Sequence, residues 1–206
     1  MMNSTNMRRV GFFAVACIAI SQMVTGCIGS SPATRYYAFS SDDFINDNDG
    51  DLRISVGPFE IPDDLNRPQI VIRDQGTQLM VLKSDRWAEP LNEAITRHIN
   101  RDLNNQFSAG LFYQFPSVTD VSPDYKIRGR IYNFEANTDG TVVLRVQWAV
   151  LDREGNFVVE PQGETFSTTV SSTDDIAAVT GAMDSLLSEF ALKIAAELGL
   201  SLIHIS

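Results

Sequence analysis

The stretch Tyr125-Lys126-Ile127-Arg128-Gly129-Arg130-Ile131-Tyr132-Asn133-Phe134-Glu135, with its continuation Thr141-Val142-Val143-Leu144-Arg145-Val146-Gln147-Trp148-Ala149-Val150-Leu151, decides the fold class. In the second arm Val142, Leu144, Val146, Trp148 and Val150 fall on one face, while Arg145 and Gln147 fall on the other. A period of two over this length is a strand with one buried face. The link Asn137-Thr138-Asp139-Gly140 carries an Asp-Gly pair, whose glycine supplies the positive φ of a tight turn. The two arms therefore predict a β-hairpin.

Working outward, Phe157 to Val170 follows a Glu154-Gly155-Asn156 turn and extends the hairpin. Upstream, Tyr36 to Phe39, Arg53 to Ile61, Gln69 to Arg73, Leu79 to Lys83 and Leu111 to Phe115 read as further strands. Gly57-Pro58 marks a bend or an edge. Leu91, Ile95, Ile99, Leu103 and Phe107 recur every four residues, with Ala94 and His98 alongside and Pro90 at the first turn. That spacing predicts a helix. A second helix opens near Ser172 to Asp175 and buries Ile176, Val179, Met183, Leu186, Leu187, Phe190, Ile194 and Leu198. Gly199 is its expected stop. Helices separated by strands in this order predict an α/β domain, a mixed sheet with helices packed on it.

The chain has 206 residues, 44% of them hydrophobic and 9% aromatic, enough for a single packed core rather than a disordered chain. Its net charge of −10 argues against nucleic acid, because phosphate binding needs a basic face. It argues equally against polybasic docking to anionic lipid.

Residues 1–26 read as an export signal. Arg8 and Arg9 precede the apolar run Val10 to Ile20, which is far short of the roughly 20 residues of a membrane span. Val24-Thr25-Gly26-Cys27 has the form of a bacterial lipobox, in which the Cys27 thiol accepts a diacylglycerol. Cys17 leaves with the signal, so the mature chain keeps one cysteine and has no internal disulfide partner for it. Ile28 rather than Asp follows the acceptor, which predicts sorting to the outer membrane, facing the periplasm. Removing Arg8 and Arg9 from a chain of net charge −10 leaves −12. Residues 27–35 form the lipidated cysteine and tether, 36–199 the folded domain. Leu200-Ser201-Leu202-Ile203-His204-Ile205 matches the translation of a transposon adapter used in sequencing libraries. Residues 200–206 are therefore expected to be artefactual, with the native end cut at about Gly199.

Metal and catalytic chemistry find little support. Aligning Asp47-Asn48-Asp49-Gly50-Asp51 with a calcium loop places Ile45 and Val56 at ligand positions, so an acidic solvated loop is expected. Zinc lacks clustered ligands, and no metal or cofactor is expected. His98 is read as a packed or flanking histidine rather than a general base. No nucleophile, base and orienting group occur together.

Two clusters stand apart. Val56-Gly57-Pro58 runs on towards Leu65-Asn66-Arg67-Pro68-Gln69-Ile70-Val71-Ile72-Arg73, and Arg86-Trp87-Ala88-Glu89-Pro90-Leu91 enters the first helix. Arg and Trp are favoured at interfaces, which makes Arg67, Pro68, Gln69, Arg73, Arg86, Trp87 and Glu89 candidate partner or subunit contacts. The competing reading has Arg67 or Arg86 paired to Glu89 and Trp87 filling the core. These segments resemble the PqiC/YmbA-type family of ABC-type transport auxiliary lipoproteins, over nearly the whole mature chain. The resemblance implies a three-layer mixed-sheet domain, anchored in the outer membrane. It also implies non-enzymatic work beside an MCE-domain protein and its inner-membrane partner in intermembrane lipid transport, with a homo-oligomer among the implied assemblies. A carrier domain that itself shelters an acyl chain is the alternative.

Overall fold

The computed structural model describes residues 32–40, 51–74, 76–106, 110–116 and 122–205. The lipobox, Cys27, Phe107 and nearly all of the acidic connection before β2 lie outside the described residues. Strands β1 (Arg35–Tyr37), β2 (Leu52–Glu60), β3 (Gln69–Asp74) and β4 (Gln78–Trp87) precede helix α1 (Leu91–Gln106). Then come β5 (Gly110–Gln114), β6 (Tyr125–Asn137), β7 (Thr141–Leu151), β8 (Phe157–Thr169) and helix α2 (Ile176–Ile205).

The expected mixed sheet is what forms. β6 pairs antiparallel with β7, and β7 with β8. The other edge of β6 serves two strands in succession. Its first half takes β2 in parallel (Ile54 beside Tyr125), and its last residues take β3 in parallel (Ile72 beside Ala136). β5 extends β2, while β4 and then β1 extend β3. Both helices pack on the sheet and against each other. Phe190 of α2 meets Phe59 and Trp148 edge-on, with ring centroids 5.8 and 5.9 Å apart. The residues predicted for one face of β7 are buried, and Arg145 and Gln147 are exposed.

Two boundaries differ from the sequence reading. β4 continues through Arg86 and Trp87, because Arg35, Tyr36 and Tyr37 of β1 pair with Asp85, Arg86 and Trp87. This partner lies about fifty residues upstream and leaves no local signal. α2 begins as expected, with Asp175 Oδ1 accepting from the Ala178 amide at 3.1 Å. It does not stop at Gly199 but runs to Ile205. A helix-ending glycine adopts positive φ; Gly199 is not among the glycines that do, and inside a helix a glycine costs only about 1 kcal/mol against alanine.

Candidate functional site

Backbone pairing brings the two motif segments together. The Trp87 amide donates to Pro68 O at 2.7 Å, and the Ala88 amide donates to Tyr37 O at 2.8 Å. Gln69 faces Arg86 across the β3–β4 pair. A cleft of about 360 Å³ opens where the strands end and α1 begins, lined by Asn66, Arg67, Pro68, Trp87, Glu89 and Leu91 among others. Its floor is apolar. Trp87 is 5% exposed and packs on Phe39 with centroids 5.1 Å apart, and Leu91 is also buried. Its rim is exposed Arg67, Pro68, Ala88 and Pro90.

The charges on this rim are not equivalent. Glu89 is gripped at both oxygens by Arg97 of α1, not by Arg67 or Arg86. Arg67 has no ion pair among the described residues. Arg86 carries its Nε buried without a hydrogen-bond partner among them. The cleft thus offers an apolar floor, one uncommitted cation and one unmet donor. A partner segment with an apolar side chain and an acceptor or carboxylate fits this chemistry.

Arg73 lies elsewhere. Its Nε donates to Glu135 Oε1 at 2.7 Å, and Glu135 is buried in β6. Beside the cleft, buried Asp85 accepts from Arg35 Nε at 2.7 Å and from the Tyr37 hydroxyl at 3.0 Å. These bonds fix β1 to β4. Asp85 raises the Arg35 guanidinium above its ordinary value. Burial, and then the bond to Asp85, push the Tyr37 phenol up.

A polar cluster between the helices escaped the sequence reading. His98 is buried as expected, but it is not packed among apolar groups alone. Its Nε2 lies 3.2 Å from Ser188 Oγ, and its Nδ1 lies 3.3 Å from Asp184 Oδ1. The grouping has the composition of a catalytic triad. Ser188, however, donates its hydroxyl proton to Asp102 Oδ2 at 2.7 Å, and His98 is 2% exposed. Nucleophilic use of serine needs that proton held by the imidazole and a reacting atom within reach. The cluster instead clamps α1 to α2. Burial works against an ionised Asp102, but bonds from His98, Ser188 and Arg101 outweigh it and hold the carboxyl well below the usual carboxylate range. Ser40 joins the cluster by donating its amide to Asp184 Oδ1 at 2.9 Å. The available signal was the spacing of four residues between His98 and Asp102, and between Asp184 and Ser188, at the margins of the two apolar stripes.

The fold and cleft define a mixed-sheet domain with an apolar-floored cleft where β4 ends and α1 begins. The chain belongs to the family of ABC-type transport auxiliary lipoprotein components, whose family model matches residues 44–195. Among solved structures, protein XCC0632 from Xanthomonas campestris, of family DUF330, is similar at 18% identity and a TM-score of 0.65. That likeness covers 82% of this chain and 96% of the other. A second crystal structure, of an uncharacterised protein, is similar at 17% identity and a TM-score of 0.65. It covers 81% of this chain and 99% of the other. These two show the fold. A search of curated proteins finds no match.

Proposed function

We propose that this chain is a non-enzymatic lipoprotein, anchored through Cys27 in the outer membrane on its periplasmic side. It serves as the auxiliary component of an MCE-type lipid-transport system and docks the periplasmic conduit. The observation that carries this reading is the cleft. It joins the two segments that distinguish the sequence and sets Arg67, without an ion pair among the described residues, over an apolar floor. Membership in a transport auxiliary lipoprotein family supports the role.

The test uses a purified MCE-domain protein from the same organism. It should bind the wild type and lose binding to Arg67→Glu and to Ala88→Arg, both at exposed positions, with the melting temperature unchanged. Equal binding by all three proteins rejects the docking surface. Light scattering on the same samples reads self-association, and loss of a homo-oligomer without loss of MCE binding assigns the cleft to a subunit contact instead. Anchoring is tested separately. Cys27→Ser should move the protein to the soluble periplasmic fraction. A variant that stays in the membrane, with no lipid on the wild-type peptide by mass spectrometry, rejects it.

A further inference from the structure

The side of the sheet turned away from the helices carries a basic strip that the cleft does not explain. Lys126, Arg128 and Arg130 alternate along β6, and Arg145 stands on β7 opposite Asn133, beyond Arg130. Arg130 faces Gln147, and Arg128 faces Ala149. Alternate residues on a strand stand about 7 Å apart on one face, so the guanidinium groups of Arg128 and Arg130 rise side by side. This happens on a chain of net charge −10. Arg130 is ion-paired to Glu60 across the β2–β6 pair. Lys126, Arg128 and Arg145 have no ion pair among the described residues.

The strip contains a depression of about 260 Å³, lined by Pro58, Glu60, Arg128, Arg130, Gln147 and Pro161 among others. Its charged and amide side chains are three donors, Arg128, Arg130 and Gln147, and one carboxylate, Glu60, which Arg130 holds. The Arg128 guanidinium sits 5.7 Å from the centroid of the Phe115 ring, an arrangement that orients a cation without neutralising it. The Tyr132 hydroxyl donates to Gln147 Oε1 at 3.1 Å, which occupies the amide oxygen and leaves the Gln147 NH₂ to donate. The Arg128 guanidinium and the Gln147 amide donor, with the edge of Arg130 that Glu60 leaves free, match the oxygens of a phosphate.

We propose that this depression binds the phosphate of an anionic phospholipid headgroup. The strip is flanked by Tyr132 and Phe115, 48% and 42% exposed. Tyrosine settles at the headgroup level of a bilayer and an exposed phenylalanine gains from the acyl boundary beneath it, while a soluble phosphate would gain nothing from either. Choosing a lipid as the source rests on the anchoring reading, since only a tethered domain meets the membrane surface continually. The low overall basicity is compatible with this, because headgroup binding needs a local cluster rather than a polybasic chain.

The experiment uses the full chain, as isolated from its host, in neutral detergent micelles. Dihexanoyl phosphatidylglycerol, dihexanoyl phosphatidylcholine and inorganic phosphate are titrated separately by calorimetry. The phosphatidylglycerol should bind saturably and more tightly than the other two. Arg128→Gln should weaken it by about tenfold or more, as expected when a charge-assisted bond is removed. Gln147→Leu should weaken it too, with melting unchanged. Inorganic phosphate binding as tightly as the phosphatidylglycerol overturns the lipid assignment. No saturable binding, or variants that bind like wild type, overturns the site. None of these outcomes depends on the Cys27→Ser fractionation or on MCE binding, so each reading fails separately.

Discussion

Gly57 of β2 lies against Thr96 of α1 so closely that a Cβ at position 57 would stand 2.7 Å from Thr96 Cγ2. The backbone there also has φ +91°, a conformation that side chains disfavour. The β2–β6 register shifts between Val56 and Phe59, which turns the strand under the helix. Gly57→Ala should therefore destabilise the fold by about 2–4 kcal/mol, combining backbone strain with overpacking. Chemical denaturation measures it. Adding Thr96→Ser removes the methyl and should recover the steric part only. Full recovery would show that φ is not strained for alanine here.

Asp102 makes the helix clamp sensitive to acid. Its folded-state pKa is depressed, so its contribution to stability is complete above the unfolded carboxylate value of about 3.9 and fades as pH falls below it. Asp102→Asn should lower stability near neutral pH by about 2 kcal/mol, the scale of a buried charged hydrogen bond. It should also flatten the decline of stability below about pH 4. Denaturant titrations across the acid range test both. Parallel declines for variant and wild type would place the acid lability elsewhere.

Arg73 and Glu135 form the pair on which the β3–β6 junction depends. Glu135 is 3% exposed and Arg73 Nε reaches it at 2.7 Å, while Asn133 Nδ2 also donates to it at 2.9 Å. Arg73→Met leaves a buried carboxylate with weaker compensation and should cost about 3–5 kcal/mol. Glu135→Gln in the same chain should restore much of that loss. A double variant no better than Arg73→Met would mean that the methylene packing of Arg73, not its charge, holds the junction.

Much of the architecture was legible because its signals are local. The alternation from Val142 to Val150 and the four-residue recurrence from Leu91 to Leu103 each reflect a single element burying one face. Arg67 and Trp87 stood out as members of two unusual segments, but the pairing of Gln69 with Arg86 that joins those segments left no local signal. The extension of β4 depends on β1, and the His98 clamp depends on Asp184 and Ser188, both about ninety residues further along. Such contacts are made by the tertiary fold, and the four-residue spacings within each helix do not say which helix meets which. The basic strip of β6 was visible as Lys126-x-Arg128-x-Arg130, yet the net negative charge of the whole chain concealed it.

Trp87 and Arg67 share one cleft and should fail differently. Trp87 is buried, packs on Phe39, and lies over the first turn of α1. Removing its ring opens a cavity beneath the cleft, so Trp87→Ala should cost about 3–5 kcal/mol of stability. Any loss of assembly would then follow from unfolding. Arg67 is exposed and bonds through its backbone amide to Leu65 O at 2.8 Å, a contact that alanine keeps. Arg67→Ala should therefore change stability by no more than about 0.5 kcal/mol. If the guanidinium anchors the partner, its loss should weaken binding of the MCE-domain protein by about 2 kcal/mol, some thirtyfold. Melting curves and binding isotherms on the same preparations separate the two effects. A stable Trp87→Ala would mean the ring contributes little to the core. An Arg67→Ala that melts early would give Arg67 a structural role, and one that binds fully would leave the cleft without its cationic anchor.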